Sequence, residues 1–204
     1  MGFSFYQPGR LVDGDLQLVL MQKIFPEANE IADVPVYKFE MRTTNTAQKL
    51  GRINFRVGNT KDVIMYAGHL GYDVEQKYRG NRYAARSCQL LFPLARKHSI
   101  DPIWITCNPD NIASRRTCEI AGGKLIEIVD LPPDNDQYQD SERQKCRYLL
   151  LITYYLLLIT YYLLLITYYL LLITCPQIPQ YLSTQGDRKY RLTVRLDRNI
   201  RPMD

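Results

Sequence analysis

The chain has 204 residues, five cysteines and a formal net charge of +5. This length suits one domain of roughly 150 residues with appended segments, and such a domain buries a core without disulfides or metals. The charge is modest, and the absence of a long lysine or arginine run argues against nucleic acid as the partner. The cysteines are widely spaced, odd in number and form no Cys-x-x-Cys pair. They predict reduced thiols in a cytoplasmic protein and no metal site.

The first third of the chain predicts antiparallel strands. Apolar residues that alternate or run together, separated by polar turns, predict strands at 16–20, 36–41, 51–57 and 64–74. The last of these contains His69 and Gly71. The segment 25–35 contains three breakers (Pro26, Asn29 and Pro35) and predicts a loop. These elements together indicate an antiparallel meander.

The middle of the chain alternates helices with strands. Residues 84–97 carry one apolar stripe and predict a helix, which Pro93 kinks or shortens. Further elements are predicted as strands at 103–107 and 124–129, a helix at 111–120, a polar loop at 131–142 and an apolar strand from Arg147. This order indicates an α/β (α+β) fold whose middle strands are parallel.

The turn Arg79-Gly80-Asn81-Arg82-Tyr83-Ala84, between a predicted strand and a predicted helix, is the first candidate site. The first N–H groups of a helix have no intrahelical partner, and together with the helix dipole they favour an anion. Gly80 allows unusual backbone angles, and Arg79 and Arg82 add positive charge. The pattern predicts a phosphate or pyrophosphate site, although a solvated surface turn has the same composition.

This turn resembles the acetyl-coenzyme A signature of the GNAT acetyltransferase superfamily: Gln or Arg, two residues, Gly, one residue, then Gly or Ala. Arg79 fills the first place and Ala84 the last, whereas Arg82 stands in place of the central glycine. The segments at 51–54, 68–72, 105–107, 111–114 and 119–123 are similar to other parts of the superfamily's site. The resemblance covers roughly 36–151. It implies a mixed, mostly antiparallel, twisted sheet with a central parallel strand pair and helices on both faces.

The resemblance also implies a chemistry: transfer of an acetyl group from acetyl-coenzyme A to an amine of a small molecule or a peptide. In the superfamily, a backbone N–H near Val74 polarises the thioester carbonyl, the turn holds the pyrophosphate, and Asn111 binds the pantetheine arm. The cofactor-binding residues implied in this way are Val74, Arg79, Gly80, Asn81, Arg82, Tyr83, Ala84, Ala85, Asn111 and Ser114.

Proton transfer residues are implied less directly. His69, Asp73 and Glu75 lie on or just after the fourth strand of the superfamily and are candidate general bases. His69 has the most suitable ordinary pKa, although a histidine in a strand also packs and hydrogen-bonds without catalysis. Many members carry a tyrosine as general acid seven residues after the asparagine, and here that place is Cys118. Its thiol is either the proton donor or a buried structural group.

Two departures leave alternatives open. The superfamily places two helices between its first and second strands, and residues 21–34 are too few for both. The acceptor pocket is therefore either open or completed by a second subunit in a homodimer. Together with Arg82 and Cys118, the short segment also suits a catalytically impaired coenzyme A-binding or protein-interaction relic of the same fold.

From Tyr148 the seven residues Tyr-Leu-Leu-Leu-Ile-Thr-Tyr repeat in tandem up to Thr174. The first copy fits the last strand of the fold, and the uncharged run 155–174 is long enough to span a bilayer as a helix of about 20 residues. Three interpretations stand: a membrane-inserted helix, a packed soluble helix, or a duplication that lengthens a strand. We therefore predict a GNAT-like domain at 1–153, an apolar repeat at 154–174 and a basic tail at 175–204.

Overall fold

A computed structural model describes residues 3–26, 34–139 and 142–174. Most of the predicted loop at 25–35 and the whole predicted tail at 175–204 lie outside the described residues. The chain divides into two compact units, Met1–Tyr155 and Leu156–Asp204. The elements that form the candidate site all belong to the first unit.

The first unit contains a five-stranded antiparallel sheet in the order β1-β2-β3-β4-β5. Its strands are β1 (Val12–Asp13), β2 (Leu16–Ile24), β3 (Val36–Thr43), β4 (Lys49–Arg56) and β5 (Leu70–Val74). Successive side chains of a strand point to opposite faces, so β3 buries Tyr37, Phe39 and Met41 on one face. The predicted antiparallel meander is confirmed.

A second antiparallel sheet has three strands in the order β6-β8-β7. The strands are β6 (Ile103–Cys107), β7 (Lys124–Asp130) and β8 (Gln144–Leu150). Tyr148 of the first repeat copy is buried in β8 and pairs with Ile105 on one side and Leu125 on the other. The prediction that the first copy belongs to the last strand is confirmed for Tyr148, Leu149 and Leu150, whereas the copy continues into α5 from Ile152.

Five α-helices lie within the described residues: α1 (Tyr83–Leu90), α2 (Phe92–Lys97), α3 (Ile112–Ile120), α4 (Asp136–Gln139) and α5 (Ile152–Thr174). The single helix predicted at 84–97 is two helices, and Pro93 lies in the first turn of α2, where a missing N–H leaves no bond unmade. The loop predicted at 131–142 contains the short helix α4. Cys88 of α1, Leu94 of α2 and Leu91 between the two helices are buried in the same core as the first sheet.

The strand predicted at 64–74 is wrong in its first half. Val63–Ala67 forms a turn of π-helix, and β5 begins only at Leu70. Gly68 separates the two with a φ of 68°, and a Cβ atom at this glycine would lie 3.0 Å from the backbone nitrogen of Thr106. The close approach of the chain to β6 therefore requires a glycine, and the sharp change of direction ends the strand there.

The two sheets join where β5 and β6 begin. The His69 N–H donates to the carbonyl of Trp104 at 2.7 Å, and the Trp104 N–H donates to Nδ1 of His69 at 2.9 Å. Among the described residues, the strand ladders otherwise remain within one sheet or the other. The predicted central pair is thus joined at its start and left unpaired towards its carboxyl end.

Helix α5 contains the later copies of the repeat. Its segment Leu157–Thr174 has a mean hydropathy of 2.0 and is long and apolar enough to cross a membrane, a test that core helices of soluble proteins also pass. None of that window is buried. The interpretation in which the repeat lengthens a strand is wrong, because these copies are helical.

Candidate active site

A cleft of about 420 Å³ opens beside the carboxyl end of β5, between the turn that precedes α1 and one face of α3. Eight of the ten predicted cofactor-binding residues line it: Val74, Arg79, Gly80, Arg82, Tyr83, Ala84, Asn111 and Ser114. The other two support the turn. The Asn81 side-chain amide donates to the carbonyl of Tyr78 at 3.1 Å, and Ala85 is buried in the core.

The backbone of Val74 faces the cleft because of the hydrogen-bonding pattern of β5. The N–H of Glu75 donates to Leu50 at 2.9 Å, and the carbonyl of His69 accepts from Arg56 at 2.8 Å. Bonding groups alternate along an antiparallel strand, so the N–H and C=O of Val74 point away from β4. The carbonyl accepts Nε–H of Arg79 at 2.9 Å. The N–H points to the cleft, where it can stabilise a developing oxyanion.

Arg82 has a left-handed backbone conformation, which favours glycine over residues with a side chain. Its φ is 58° and its ψ is 17°, and it is the residue immediately before α1. The left-handed conformation costs a residue with a side chain about 1–2 kcal/mol. Gly80 also has a positive φ, of 87°. The turn thus delivers the first N–H groups of α1 to the cleft, and the side chains of Arg79, Arg82 and Arg116 add positive charge beside them.

Asn111 begins α3. Its Oδ1 accepts the N–H of Ser114 at 3.0 Å, which is the usual bond of a helix N-cap. The amide nitrogen of the same side chain keeps two N–H donors for a ligand in the cleft. One face of α3 lines the cleft with Ala113, Arg116, Thr117 and Ile120. Sequence analysis missed this face, although the spacing i, i+3, i+4 and i+7 after the asparagine indicates it.

His69 lies outside the cleft lining, at the junction of the two sheets. It is fully buried, and its Nε2 lies 3.1 Å from the carbonyl of Gly58 and 3.0 Å from Oδ1 of Asn59. Burial, with a smaller contribution from the charge of Arg56, lowers the pKa of His69 from 6.5 to about 4. Both ring nitrogens are engaged, so the position favours the alternative of a packed histidine over a general base.

The remaining candidates for proton transfer differ in access. Asp73 lines the cleft, with its carboxylate 3.9 Å from the guanidinium of Arg79. The Glu75 carboxylate lies 3.6 Å from the Lys77 ammonium and is 38% exposed. Cys118 is fully buried, and contact with the Cys107 thiol together with burial raises its pKa. Its position favours the structural alternative.

Tyr72 is a cleft residue that sequence analysis missed. Its hydroxyl oxygen lies 3.0 Å from Oγ and 3.3 Å from the carbonyl oxygen of Ser114, and 3.6 Å from Sγ of Cys118. Burial, followed by the neighbouring thiols, raises the pKa of this phenol above its usual range. The sequence does contain a signal for Tyr72: side chains of a strand alternate between its faces, so residue 72 lies on the same face of β5 as Val74.

Comparisons with known proteins indicate one family. The model of the acetyltransferase (GNAT) domain family matches residues 14–124, more than half of the chain. A Chromobacterium violaceum protein assigned to the GNAT acetyltransferases is similar in structure, with a TM-score of 0.52 and 10% identity over 74% of this chain and 89% of that one. A Vibrio cholerae protein assigned as a ribosomal-protein-serine acetyltransferase gives a TM-score of 0.50 and 13% identity over 72% and 99%.

A third similar structure is the GNAT-family acetyltransferase of Bacillus anthracis, with 19% identity and a TM-score of 0.44 over 57% of this chain. The present chain spans 66% of that protein, just under two thirds of its length. A comparison with curated proteins finds no match. At these identities the likeness to solved structures describes the fold, and the family assignment rests on the domain model.

Proposed function

The chain belongs to the GNAT family of acetyltransferases, and from this premise we propose that it transfers an acetyl group from acetyl-coenzyme A to an amine. One observation carries the proposal. A single cleft collects the N–H of Val74, the turn from Arg79 to Ala84 and the side chain of Asn111. These are the groups that the chemistry of thioester, pyrophosphate and pantetheine requires.

The proposed binding of acetyl-coenzyme A divides among these groups. The pyrophosphate lies at the amino end of α1, where backbone N–H groups and the side chains of Arg79 and Arg82 offer donors and positive charge. Asn111 donates from its amide nitrogen to a carbonyl of the pantetheine arm, while its Oδ1 stays in the helix cap. The thioester then lies beside Val74.

In the proposed reaction the amine nitrogen attacks the thioester carbonyl, a C–N bond forms and the C–S bond breaks. The N–H of Val74 stabilises the oxyanion of the tetrahedral intermediate. Asp73 is the first candidate to accept the proton of the amine, because the residue lines the cleft and its side chain is more than half exposed. Glu75 is the second candidate, acting through water. Side chains alternate along β5, so Asp73 lies on the opposite face of the strand from Tyr72.

The test uses the full chain in two measurements: calorimetric titration with acetyl-coenzyme A, and release of free thiol with a panel of small amines and peptide amino termini. Asn111→Asp keeps the oxygen that caps α3 but removes the amide donor, whereas Asn111→Ala removes both. We expect both variants to bind acetyl-coenzyme A at least about tenfold more weakly, because each loses a ligand hydrogen bond. No saturable binding by the wild-type chain would overturn the proposal.

The alternative function is a coenzyme A-binding relic without turnover. Burial of His69 and Cys118 favours it, because these two of the four candidate proton-transfer side chains are buried and do not line the cleft. The relic binds acetyl-coenzyme A but releases no thiol with any amine.

We also propose a cytoplasmic location, since four cysteines, Cys88, Cys107, Cys118 and Cys146, are free and buried. Membrane association through 155–174 and a homodimer stay predictions.

A further inference from the structure

We propose that Tyr72 is a further catalytic residue, whose hydroxyl donates a hydrogen bond to the sulfur of coenzyme A as the thiolate leaves. The inference rests on the proposed function, because it concerns the leaving group of that reaction. It assigns to β5 a role that the resemblance would place on α3, at Cys118.

The first argument is position. Tyr72 lines the cleft and lies two residues before Val74, on the same face of β5. Two residues of a strand span about 6.6 Å. A thioester whose oxygen meets the N–H of Val74 therefore has its sulfur within reach of a side chain as long as tyrosine. The phenol reaches α3, where its oxygen lies 3.0 Å from Oγ of Ser114.

The second argument is the burial of Cys118, the position where the resemblance places the general acid. Cys118 is fully buried and is not among the residues that line the cleft. The hydroxyl oxygen of Tyr72, a residue that lines the cleft, lies 3.6 Å from the Cys118 sulfur. A tyrosine hydroxyl thus occupies the neighbourhood of residue 118, but it arrives from a strand instead of a helix.

The third argument is chemical. When the C–S bond breaks, its electron pair stays on sulfur, and the amine's proton passes to Asp73 or to water. Burial keeps the phenol of Tyr72 protonated, so it acts as a hydrogen-bond donor and does not give up its proton. Water then protonates the thiolate, and the products are the amide and the free thiol. The backbone carbonyl of Ser114 accepts a hydrogen bond from the phenol, and this contact holds the ring in place.

The experiment compares full-length Tyr72→Phe with Cys118→Ala. The first substitution removes one oxygen and keeps the ring, and the second removes the sulfur at the position that the resemblance indicates. We expect kcat of Tyr72→Phe to fall about 10- to 100-fold with an unchanged Kd for acetyl-coenzyme A, because one transition-state hydrogen bond is lost. We expect Cys118→Ala to retain a kcat within about threefold of wild type. The reverse pattern, or an unchanged kcat in both variants, would overturn the proposal.

A second readout does not depend on turnover. Free coenzyme A is bound to each protein and its thiol is titrated by the ultraviolet absorbance of the thiolate. A hydrogen bond to the charged form lowers a pKa, so the bound thiol should titrate about one pH unit higher in Tyr72→Phe than in the wild type. Equal titration in both proteins would reject the role of Tyr72. If the thiol of bound coenzyme A titrates higher in Tyr72→Phe than in the wild type, but the wild type acetylates no amine, the result would reject the proposed function and leave the contact between Tyr72 and the sulfur standing.

Discussion

Strand β5 meets β6 at one end and leaves it at the other. At the start, His69 is fully buried and exchanges hydrogen bonds with Trp104, Gly58 and Asn59. At its carboxyl end, Val74 directs an N–H into a cleft that Tyr72 also lines. Satisfied polar groups hold the two sheets together, and backbone groups without a strand partner form the site. The difference predicts that changes at the first end alter stability, and that changes at the second alter binding and turnover.

The largest effect is expected at the joined end. His69→Ala leaves a cavity and removes the hydrogen-bond partner of the Trp104 N–H and of the Gly58 carbonyl. The free energy of unfolding should therefore fall by about 3–5 kcal/mol. Denaturant unfolding measures it. The other histidine of the chain, His98, is half-buried and lies 2.8 Å from the hydroxyl of Tyr37. His98→Ala should lose only about 1 kcal/mol. Equal losses would contradict a special role for the junction.

The joined end should also make the protein sensitive to acid. The folded chain resists protonation of His69 until pH about 4, whereas the unfolded chain takes up this proton near pH 6.5. The contribution of neutral His69 to the free energy of unfolding is constant above pH 6.5. It falls by about 3 kcal/mol as the pH decreases from 6.5 to about 4. Unfolding measured against pH in wild type and His69→Gln isolates this part, because the carboxylates of Glu40 and Asp15, whose pKa values are lowered, respond alike in both.

At the open end, Arg79→Ala should weaken acetyl-coenzyme A binding about tenfold, because it removes a cation and the donor that holds the carbonyl of Val74. Stability should change by less than about 0.5 kcal/mol, since the side chain is mostly exposed. Calorimetric titration gives the Kd. Arg96→Ala, an exposed arginine in the last turn of α2, is the charge-matched control and should bind as wild type.

The smallest effect is expected at Arg82. Arg82→Gly relieves the strain of the left-handed conformation but increases the conformational entropy of the unfolded chain. The free energy of unfolding should therefore rise by at most about 1 kcal/mol. Arg82→Ala removes the charge and keeps the Cβ atom, and it should therefore gain no stability. If the alanine variant is as stable as the glycine variant, the backbone at this position is not strained. Denaturant unfolding of the three proteins makes the comparison.

Local patterns of the sequence predicted most of the fold and the position of the turn that precedes α1. The strands at 36–41, 51–57 and 103–107 and the helix at 111–120 required only periodicity and breakers. The predicted strand at 64–74 failed, because what ends it is the packing of Gly68 against Thr106, which periodicity does not contain. Tyr72 escaped notice for a similar reason: its partner Ser114 is 42 residues away in the chain.

The repeat sets a sharper limit on local prediction. Tyr148, Leu149 and Leu150 form a strand, whereas the same three residues at 162–164 are helical. In β8 both edges of the segment are paired, with β6 and with β7, and the tyrosine is buried. A choice between strand and helix that depends on neighbouring strands is invisible to any window of the sequence.

The identity of the copies in α5 has a consequence for how this segment can vary. Seven residues lengthen a helix by about 10.5 Å and return side chains to within about 20° of their former direction. Gain or loss of one copy in the gene therefore changes the length of the helix in fixed steps while its surface chemistry stays the same. Only the first copy is shared with β8, so copy number can vary in the rest without altering a residue of the cleft.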